Sequence, residues 1–273
     1  MTLRHKPACT VFACALLTAA PGFADYDDDD DDDELPFAVA EVFFELNNTD
    51  GDLGIHALID GEPWKRLTIE DPRERKMLNA YVRGRLRRQG LTEIFFESAE
   101  PTFDELSPEK FFRRFPAGTY EVEGRTLNGQ EMESETEITH AMPAPPEARI
   151  NGIPMPEQCD DEEPGYDVIT VESPIVISWP AVTRTHPELG YPQDSSDIAI
   201  YNYEVVVETE FELPNGDEFA TVFSTVLPPG VTSMTVPDEF LSQSDEFKFE
   251  VLAREESWNQ TAVESCFLID EDD

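Results

Sequence analysis

Apolar and polar residues alternate over several short segments in the second half of the chain. The clearest is Phe247-x-Phe249-x-Val251-x-Ala253, where every second side chain is apolar or small. Side chains of a strand alternate between two faces, so this period of two predicts a half-buried β-strand. Similar segments, separated by turn residues, lie at 167–171, 175–179, 200–208, 219–226, 233–236, 247–254 and 261–267. Seven short strands in about 100 residues predict a β-sandwich over residues 166–269.

The first half of the chain carries a comparable pattern. Strand-like segments lie at 41–46, 55–60, 64–69, 91–97, 120–126 and 133–139. The last two flank Asn128-Gly129, the favoured residue pair for a tight hairpin turn. These segments predict a β-rich, immunoglobulin-like domain over residues 36–142.

Three other segments lack a strand or helix pattern. Residues 143–165 contain six prolines, which keep a chain extended and semi-rigid, so this segment is the predicted linker. Residues 25–35 form an Asp-rich arm in which like charges repel one another, and we expect it to be disordered. A weak calcium or basic-surface contact by the arm is the alternative. Residues 270–273 form a similar acidic tail.

The first 24 residues have the form of a secretory signal peptide. A basic start is followed by a short apolar stretch and small residues, which predicts cleavage between Ala24 and Asp25. The apolar stretch is too short for a stable membrane-spanning helix. A lipoprotein signal with Cys14 acylated is the alternative. The signal and the acidic composition are typical of an exported bacterial protein, periplasmic or secreted.

Charge narrows the possible partners. The full chain carries a net charge of −40, and loss of Arg4 and Lys6 with the signal leaves 17 basic and 59 acidic residues, a net charge of −42. Such a chain repels nucleic acids and anionic lipid surfaces. No segment after the signal is apolar for long enough to span a membrane, so we expect the partner to be a protein or another envelope or surface component.

Two cysteines, Cys159 and Cys266, remain after the signal is removed. An even pair in an exported chain predicts one disulfide. It would close a loop of about 107 residues and stabilise the fold by at most ~4–5 kcal/mol. Two free thiols or a metal site are the alternatives.

The strand pattern of the second half resembles that of fibronectin type III domains. Ile175-Val-Ile-Ser-Trp179-Pro180 is similar to the family's second strand, which ends in a buried tryptophan, and the alternation around Tyr203 is similar to its third. Leu241 stands where the family has a leucine under the turn into the sixth strand, and Phe247, Phe249 and Val251 match that strand. The resemblance covers about 100 residues and implies that these side chains form a core, in a module that serves as a spacer or adhesive unit.

Two residues depart from that family pattern. Phe247 stands where the family has tyrosine, so the hydroxyl bond of a tyrosine corner cannot form there. Trp258 lies in the last turn, where glycine is common, and we expect it to be exposed. The predicted fold class is therefore all-β, with two consecutive β-sandwich domains, immunoglobulin-like and fibronectin type III-like, joined by the proline-rich linker.

A possible calcium site lies in the first turn cluster. Asn48-x-Asp50-x-Asp52 superficially resembles a calcium-binding loop, but Leu53 and Ile59 occupy the positions where an EF-hand loop needs glycine and an acid. A turn stabilised by Asx side chains explains the same residues. An irregular calcium site at Asn48, Asp50 and Asp52 stays as the alternative, and calcium is the one cofactor considered.

Nine of the 17 remaining basic residues lie between Lys65 and Arg88. Arg83, Arg85 and Arg87 share one face if the end of this segment is a strand, whereas a helix starting at Asp71 and Pro72 would spread them around its axis. A patch for an anionic glycan or acidic partner is one interpretation. A docking surface for the chain's own acidic arm, or a solvated face, is the other.

Catalysis has little support in the sequence. His56, His140 and His186 belong to no nucleophile motif, and we expect His56 and His140 to lie on strands at the surface. The sequence therefore predicts a non-enzymatic, exported protein of binding or structural type. A carbohydrate-active hydrolase with its site in residues 36–142, and a calcium-stabilised structural protein, are the alternatives.

Overall fold

The computed structural model describes residues 34–155, 168–189, 196–213, 215–216 and 218–270. These residues all belong to one compact unit, Glu34–Asp273. The predicted signal peptide, its cleavage site at Ala24 and Asp25, and almost all of the acidic arm lie outside the described residues. Cys159 and residues 271–273 of the acidic tail also lie outside them.

Fifteen strands and three short helices are described. The strands of the first half are β1 (Val39–Asn47), β2 (Asp52–Glu70), β3 (Lys76–Tyr81), β4 (Leu91–Glu97), β5 (Gly118–Thr126) and β6 (Glu131–Ile138). Those of the second half are β7 (Arg149–Ile150), β8 (Ile153–Pro154), β9 (Ile169–Val171), β10 (Val176–Ser178), β11 (Ile200–Glu212), β12 (Glu218–Leu227), β13 (Ser233–Thr235), β14 (Glu246–Glu255) and β15 (Gln260–Ile269). The helices are α1 (Gly84–Gln89), α2 (Pro108–Arg114) and α3 (Asp238–Leu241).

The strands form two sheets. The larger one runs β12-β11-β14-β15-β1-β2-β5-β6, with β3 and β4 also paired to β2 and β9 paired to β15. The smaller one runs β13-β10-β7-β8. This arrangement confirms the predicted all-β sandwich class. Among the described residues, no helix has the length and apolar composition needed to cross a membrane.

The two halves of the chain share the larger sheet. β1 pairs in parallel with β15, with Glu45 opposite Gln260 and Asn47 opposite Ala262. Parallel strands need a long connection, and here nearly the whole chain lies between them. The two halves are thus held together by backbone hydrogen bonds across β1 and β15 as well as by side chains.

Two hydrophobic cores lie along this sheet. The first is formed by side chains from residues 37–142 together with Leu189, and the second by side chains from residues 148–267. Alternation of buried and exposed side chains along the strands produces these cores. In β5, for example, Tyr120 and Val122 are buried, whereas Thr119, Glu121 and Glu123 are exposed. The second core begins inside the predicted linker, because Ala148 and Ile150 are buried in it and β7 pairs with β10.

β2 combines two segments that the sequence predicted as separate strands. Its first part pairs with β1 and β4, and its last part pairs with β3 and β5. The register shifts between Asp60 and Trp64. Pro63 has no N–H to donate to a ladder, so the change of partners falls where proline weakens the pairing. Side chains from both parts of β2 enter the first core.

A tyrosine-corner contact is present in the first half of the chain, not the second. The hydroxyl of Tyr120, at the start of β5, donates a buried hydrogen bond of 2.9 Å to the backbone oxygen of Pro116. This is the type of bond that the resemblance places in the sixth strand of the fibronectin domain, where this chain has Phe247. Phe247 instead stacks on Phe267, with 5.3 Å between the ring centroids.

Candidate functional site

A buried histidine lies between two carboxylates near the join of the two halves. His56 Nε2 is 3.0 Å from Glu100 Oε1, and His56 Nδ1 is 3.5 Å from Glu45 Oε2. His56 is 1% exposed and Glu45 is 8% exposed. We call these three residues the Glu45–His56–Glu100 cluster. The expectation that His56 is a surface residue was wrong, because the outer face of β2 is covered here.

Strand register and one glycine set the geometry of the cluster. In the β1–β2 ladder Phe43 lies opposite His56 and Glu45 lies opposite Gly54, which places Glu45 and His56 on one face. A Cβ atom on Gly54 would come within 2.4 Å of Glu100 Oε1. The absence of a side chain at Gly54 therefore leaves the space that Glu100 occupies.

The loop that carries Glu100 is tied to the sheet on both sides. Before Glu100, the N–H of Ile55 donates to Ser98 Oγ and the N–H of Ser98 donates to the oxygen of Ile55, each at 3.0 Å. After Glu100, Thr102 forms a bridge with Asp52, and the N–H of Phe103 donates to the oxygen of Gly51. The position of Glu100 is thus fixed by backbone bonds rather than by its contact with His56 alone.

The charges in the cluster depend on one another. Burial alone lowers the pKa of His56, but its hydrogen bond with Glu100 and the negative charge of Glu45 outweigh this effect and raise it. Burial raises the pKa of Glu45, against the opposing effects of His56 and Gln260. The contacts of His56 with Glu100 and Glu45 thus more than offset the desolvation of its charged form, and His56 in turn offsets part of the desolvation of Glu45.

More carboxylates line the same side of the sheet. Burial, with repulsion from neighbouring acids, raises the pKa of both Asp52 and Glu264 to about 7. Glu250 lies directly opposite Glu264 in the β14–β15 ladder, and its pKa is raised well above the usual value by burial first and by nearby acids second. This face of the sheet is a strip of carboxylates in a partly desolvated setting, which favours protons or cations.

The cluster is connected to the other half of the chain through β15. Gln260 Nε2 donates a hydrogen bond to Glu45 Oε2, and Arg254 lies over the ring of Phe43 at 5.6 Å from its centroid. Next to Gln260, the fully buried Asn259 accepts a hydrogen bond of 2.9 Å from the N–H of Phe44. Side chains from both halves therefore meet where β1 and β15 pair.

A second feature lies at the far end of the larger sheet, on its edge strand β12. The segment Phe219–Leu227, FATVFSTVL, contains no charged residue in a chain of net charge −40. Phe219 is 51% exposed and Val226 is 48% exposed. A long edge strand without charge, proline or a bulge is a template for pairing with another strand.

The opposite edge of the same sheet is protected. On β6 the side chains of Glu131, Glu133, Glu135 and Glu137 are all exposed. Leu35 also pairs with part of this strand through hydrogen bonds with Glu131 and Glu133. Charged side chains and a covering segment are the usual means by which proteins prevent edge pairing. The two edges of one sheet thus differ in whether they can accept another strand.

The three predicted calcium residues lie in the turn between β1 and β2 and at the first position of β2. Asn48 Oδ1 lies 3.0 Å from His186 Nε2, whereas Asp50 contacts Asn47. Asn47 Oδ1 accepts hydrogen bonds from the N–H groups of Thr49 and Asp50, as in an Asx turn. Asp52 begins β2. A calcium ion bound by Asn48, Asp50 and Asp52 remains a prediction.

The six side chains that carry the family resemblance lie together in the second core. They are Trp179, Tyr203, Leu241, Phe247, Phe249 and Val251. The rings of Trp179 and Tyr203 are 5.2 Å apart, and the hydroxyl of Tyr203 accepts a hydrogen bond from the N–H of Val182. Trp258 has a φ of 73°, in the region that favours glycine, and is half-buried against Tyr201 rather than exposed.

The structure places parts of two further predicted features, the disulfide and the basic segment 65–88. Cys266 is buried on β15, but Cys159 is outside the described residues, so the disulfide stays a prediction. In the basic segment 65–88, no helix begins at Asp71, and Arg85 and Arg87 lie on the short helix α1 rather than on a strand. Asp71 closes a turn by binding Arg75 at its side chain and backbone, and the following residues form β3 and then α1.

Sequence reasoning missed the Glu45–His56–Glu100 cluster. Glu45 and His56 occupy strand positions whose alternation alone places them on the outer, solvent-facing side. The one local signal was Gly54 inside a strand, which often marks a close approach by another group. The position of Glu100 depends on a loop that no local pattern predicts.

No family model and no curated protein matches the chain. Among solved structures, the chain is similar to a tetra-tandem repeat in the extending region of a large adhesion protein, with 12% identity over 85% of this chain and a TM-score of 0.25. It is also similar to part of a bacterial ice-binding adhesin (14%, 87%, TM-score 0.20) and to the human OSCAR ligand-binding domain (10%, 84%, TM-score 0.25).

The chain spans 50% of the length of the adhesion-protein structure, 66% of the ice-binding adhesin structure and 98% of the OSCAR structure. With TM-scores this low and identities this small, none of these similarities assigns the chain to a family or a function.

Proposed function

We propose that this chain is an exported, non-enzymatic protein of binding or structural type, and that its binding surface is the open edge of β12. Export rests on the signal-like N-terminus, and a spacer or adhesive role rests on the fibronectin-like pattern around Trp179 and Phe247. The observation that carries the proposal is the contrast between the uncharged segment Phe219–Leu227 of the edge strand β12 and the glutamate-lined edge β6.

The occupant that best fits this edge is the β12 strand of a second copy. An antiparallel pair centred on Phe223 places Phe219 opposite the partner's Leu227 and Thr221 opposite the partner's Thr225. On the other face, Val222 meets the partner's Ser224, so no charged residue faces another. The odd-numbered residues of β12 lie opposite the buried residues Tyr203, Val205 and Val207 of β11, so they are on the face of the sheet that covers the second core. In the proposed register they pair with odd-numbered residues of the partner, so the second cores of both copies lie on the same side of the joined sheet.

Cross-strand pairs of this kind favour association. Pairs of aromatic, β-branched and threonine side chains each contribute roughly 0.2–1 kcal/mol, in addition to about one hydrogen bond per residue pair. The buried hydroxyl of Thr221 has no hydrogen-bond partner among the described residues, and a threonine opposite it supplies one.

The acidity of the chain does not prevent this contact. β12 carries one glutamate, Glu218, at its first position, which lies opposite the partner's Pro228 in the proposed register. On the neighbouring strand, Glu204 faces Val226, Glu208 faces Val222 and Glu210 faces Ala220. The two β11 strands of a dimer are three strand spacings apart, about 14 Å, which exceeds the ~8 Å Debye length at physiological ionic strength. We therefore expect dimerisation to strengthen with salt, because screening reduces repulsion between two acidic molecules.

Crosslinking tests both the pairing and its register. We expect a mixture of Val222→Cys and Ser224→Cys chains to form a mixed disulfide, and neither variant to crosslink alone. A mixture of Ala220→Cys and Ser224→Cys is the matched control, because these positions do not face each other in the proposed register. Equal crosslinking in both mixtures contradicts the register.

Sedimentation tests the association itself. The N–H groups of the adjacent residues Thr225 and Val226 point to opposite sides of β12, one toward β11 and the other toward the open edge. Proline at the position whose N–H points to the open edge removes only a donor that would bond the partner strand. The proline variant that retains the wild-type melting temperature should be monomeric where the wild type dimerises. A wild-type chain that stays monomeric at high salt and high concentration refutes self-pairing. Capture of a different protein's strand by β12, lost in the same proline variant, supports binding by another partner instead.

A further inference from the structure

The Glu45–His56–Glu100 cluster has the composition of a metal site. Among the described residues, it is the one group of three or more histidine, cysteine, aspartate and glutamate side chains whose ligand atoms all lie within 4.8 Å of one another. One imidazole nitrogen with carboxylate oxygens is a donor set that suits divalent transition metals such as Zn²⁺. It does not suit calcium, which takes oxygen ligands.

The three ligands are held in place by other side chains. Gln260 donates a hydrogen bond to Glu45, which orients that carboxylate. The ring of His56 is held between Phe43, at 5.4 Å, and Phe95, at 6.0 Å edge-on. A supporting hydrogen bond and fixed rings around the ligands are what a metal site needs to keep its geometry.

Access and space are also suitable. The side chain of Glu100 is 26% exposed, whereas those of His56 and Glu45 are nearly closed to solvent. An ion can therefore enter on the side of Glu100, and a water molecule on that side can complete four-coordination. The missing side chain at Gly54 leaves Glu100 free to approach.

Charge favours a dication over a proton at this position. The cluster contains two carboxylates and one imidazole, and a single proton on the imidazole leaves a net negative charge. Glu97 is directly opposite His56 in the β2–β4 ladder, which places a third carboxylate-bearing residue next to the cluster. A divalent ion neutralises both carboxylates in a setting where an unpaired charge is costly.

We propose that Glu45, Glu100 and Nε2 of His56 bind one divalent transition-metal ion, with Zn²⁺ as the test metal. One ion binds only one ring nitrogen, so Glu45, which lies beside Nδ1, turns toward the ion on the Nε2 side when the ion binds. The ion joins β1, β2 and the loop after β4, and acts on β15 through Gln260. Its role is structural: it fastens the loop to the sheet next to the join of the two halves. This proposal does not depend on strand pairing at β12.

Cobalt provides a direct readout, because Co²⁺ bound to nitrogen and oxygen ligands absorbs visible light. Chains of residues 25–273, stripped with a chelator, are titrated with Co²⁺ and then with Zn²⁺. We expect one Co²⁺ per chain with a visible absorption band, and loss of that band when Zn²⁺ is added. The melting temperature should rise with Zn²⁺.

Three variants and a control assign the ion to the cluster. His56→Gln should abolish the band, and Gln260→Ala should weaken binding by about 10–100-fold, as expected for a residue that orients a ligand. Gly54→Ala should also weaken it, because its Cβ displaces Glu100. Glu97→Gln is the matched control, since it removes an exposed neighbouring carboxylate that is not a ligand, and it should keep the band and the stoichiometry.

Two results would overturn the proposal. One is the absence of saturable one-to-one binding by the wild-type chain. The other is binding that persists in folded His56→Gln, which would assign the ion to the Asp-rich arm. If His56→Gln does not fold, Gly54→Ala and Gln260→Ala decide the question, and unchanged affinity in both contradicts the site.

Discussion

Asn259 is the side chain whose loss we expect to damage the join between the two halves most. It is fully buried. Its Oδ1 accepts from the N–H of Phe44 at 2.9 Å, and its Nδ2 donates to the backbone oxygen of Thr139 at 3.1 Å. The backbone pairing of β1 with β15 begins at Glu45 and Gln260, one residue after Phe44 and Asn259. The side-chain amide of Asn259 therefore adds one more hydrogen bond at the start of this parallel ladder.

The magnitude of Asn259→Ala follows from these bonds. The N–H of Phe44 is left buried without this acceptor, and the oxygen of Thr139 loses a donor. Each unsatisfied buried group costs about 1–3 kcal/mol. Two such groups together cost about 2–6 kcal/mol, and the oxygen of Thr139 is only partly buried, so we expect a total loss in the lower half of that range, about 3 kcal/mol. For a chain of this size that lowers the melting temperature by roughly 6–12 °C.

Calorimetry and denaturant unfolding monitored by tryptophan fluorescence measure this loss. Trp64 lies in the first core and Trp179 in the second, so fluorescence reports on both halves. Asn202→Ala is the control: Asn202 is a half-buried strand asparagine with no side-chain hydrogen bond to the described residues, and we expect a change within about 0.5 kcal/mol. A loss below about 1 kcal/mol for Asn259→Ala, or one equal to the control, would refute the reasoning.

Three further predictions concern stability. Tyr120→Phe should cost about 1–2 kcal/mol in denaturant unfolding, because it removes a buried hydrogen bond without changing the ring; an unchanged midpoint would show that the bond is not needed. The folded-state pKa values of Asp52 and Glu264, about 7, lie above their unfolded values, so the folded chain binds more protons between about pH 4 and pH 7. Stability should therefore fall as pH rises through that window, and Glu264→Gln should reduce the fall in melting temperature between pH 5 and pH 8; an unchanged pH profile in this variant contradicts the assignment. Intact mass under non-reducing conditions should show a Cys159–Cys266 disulfide, and Cys266→Ser should lower the melting temperature by the amount that reduction lowers it in the wild type.

Local patterning predicted most strands and the fold class. The alternation from Phe247 to Val251 and the turn pair Asn128-Gly129 each depend on neighbouring residues, so they can be read without the fold. The continuation of β2 past Pro63 was missed. Two segments flanking Pro63 read as separate strands, and only the pairing of each part with different neighbours shows that the strand continues.

The candidate sites depended on contacts distant in sequence. Glu45 and Gln260 are far apart along the chain and meet because β1 pairs with β15. The calcium-like spacing of Asn48, Asp50 and Asp52 was visible, but the turn directs Asn48 and Asp50 to different partners. The cluster with His56 had no comparable spacing, because its third member comes from a loop held by backbone bonds.

The sequence by itself determined the alternating strands, the excess of acidic residues and the uncharged composition of Phe219–Leu227, because each is a property of consecutive residues. Only the tertiary structure decided that this uncharged strand is an edge, that β1 and β15 join the halves, and that His56 is buried between carboxylates. Side-chain alternation predicts which residues share a face of a strand. Pairing between strands distant in sequence decides what covers that face and which strand lies at the edge of the sheet.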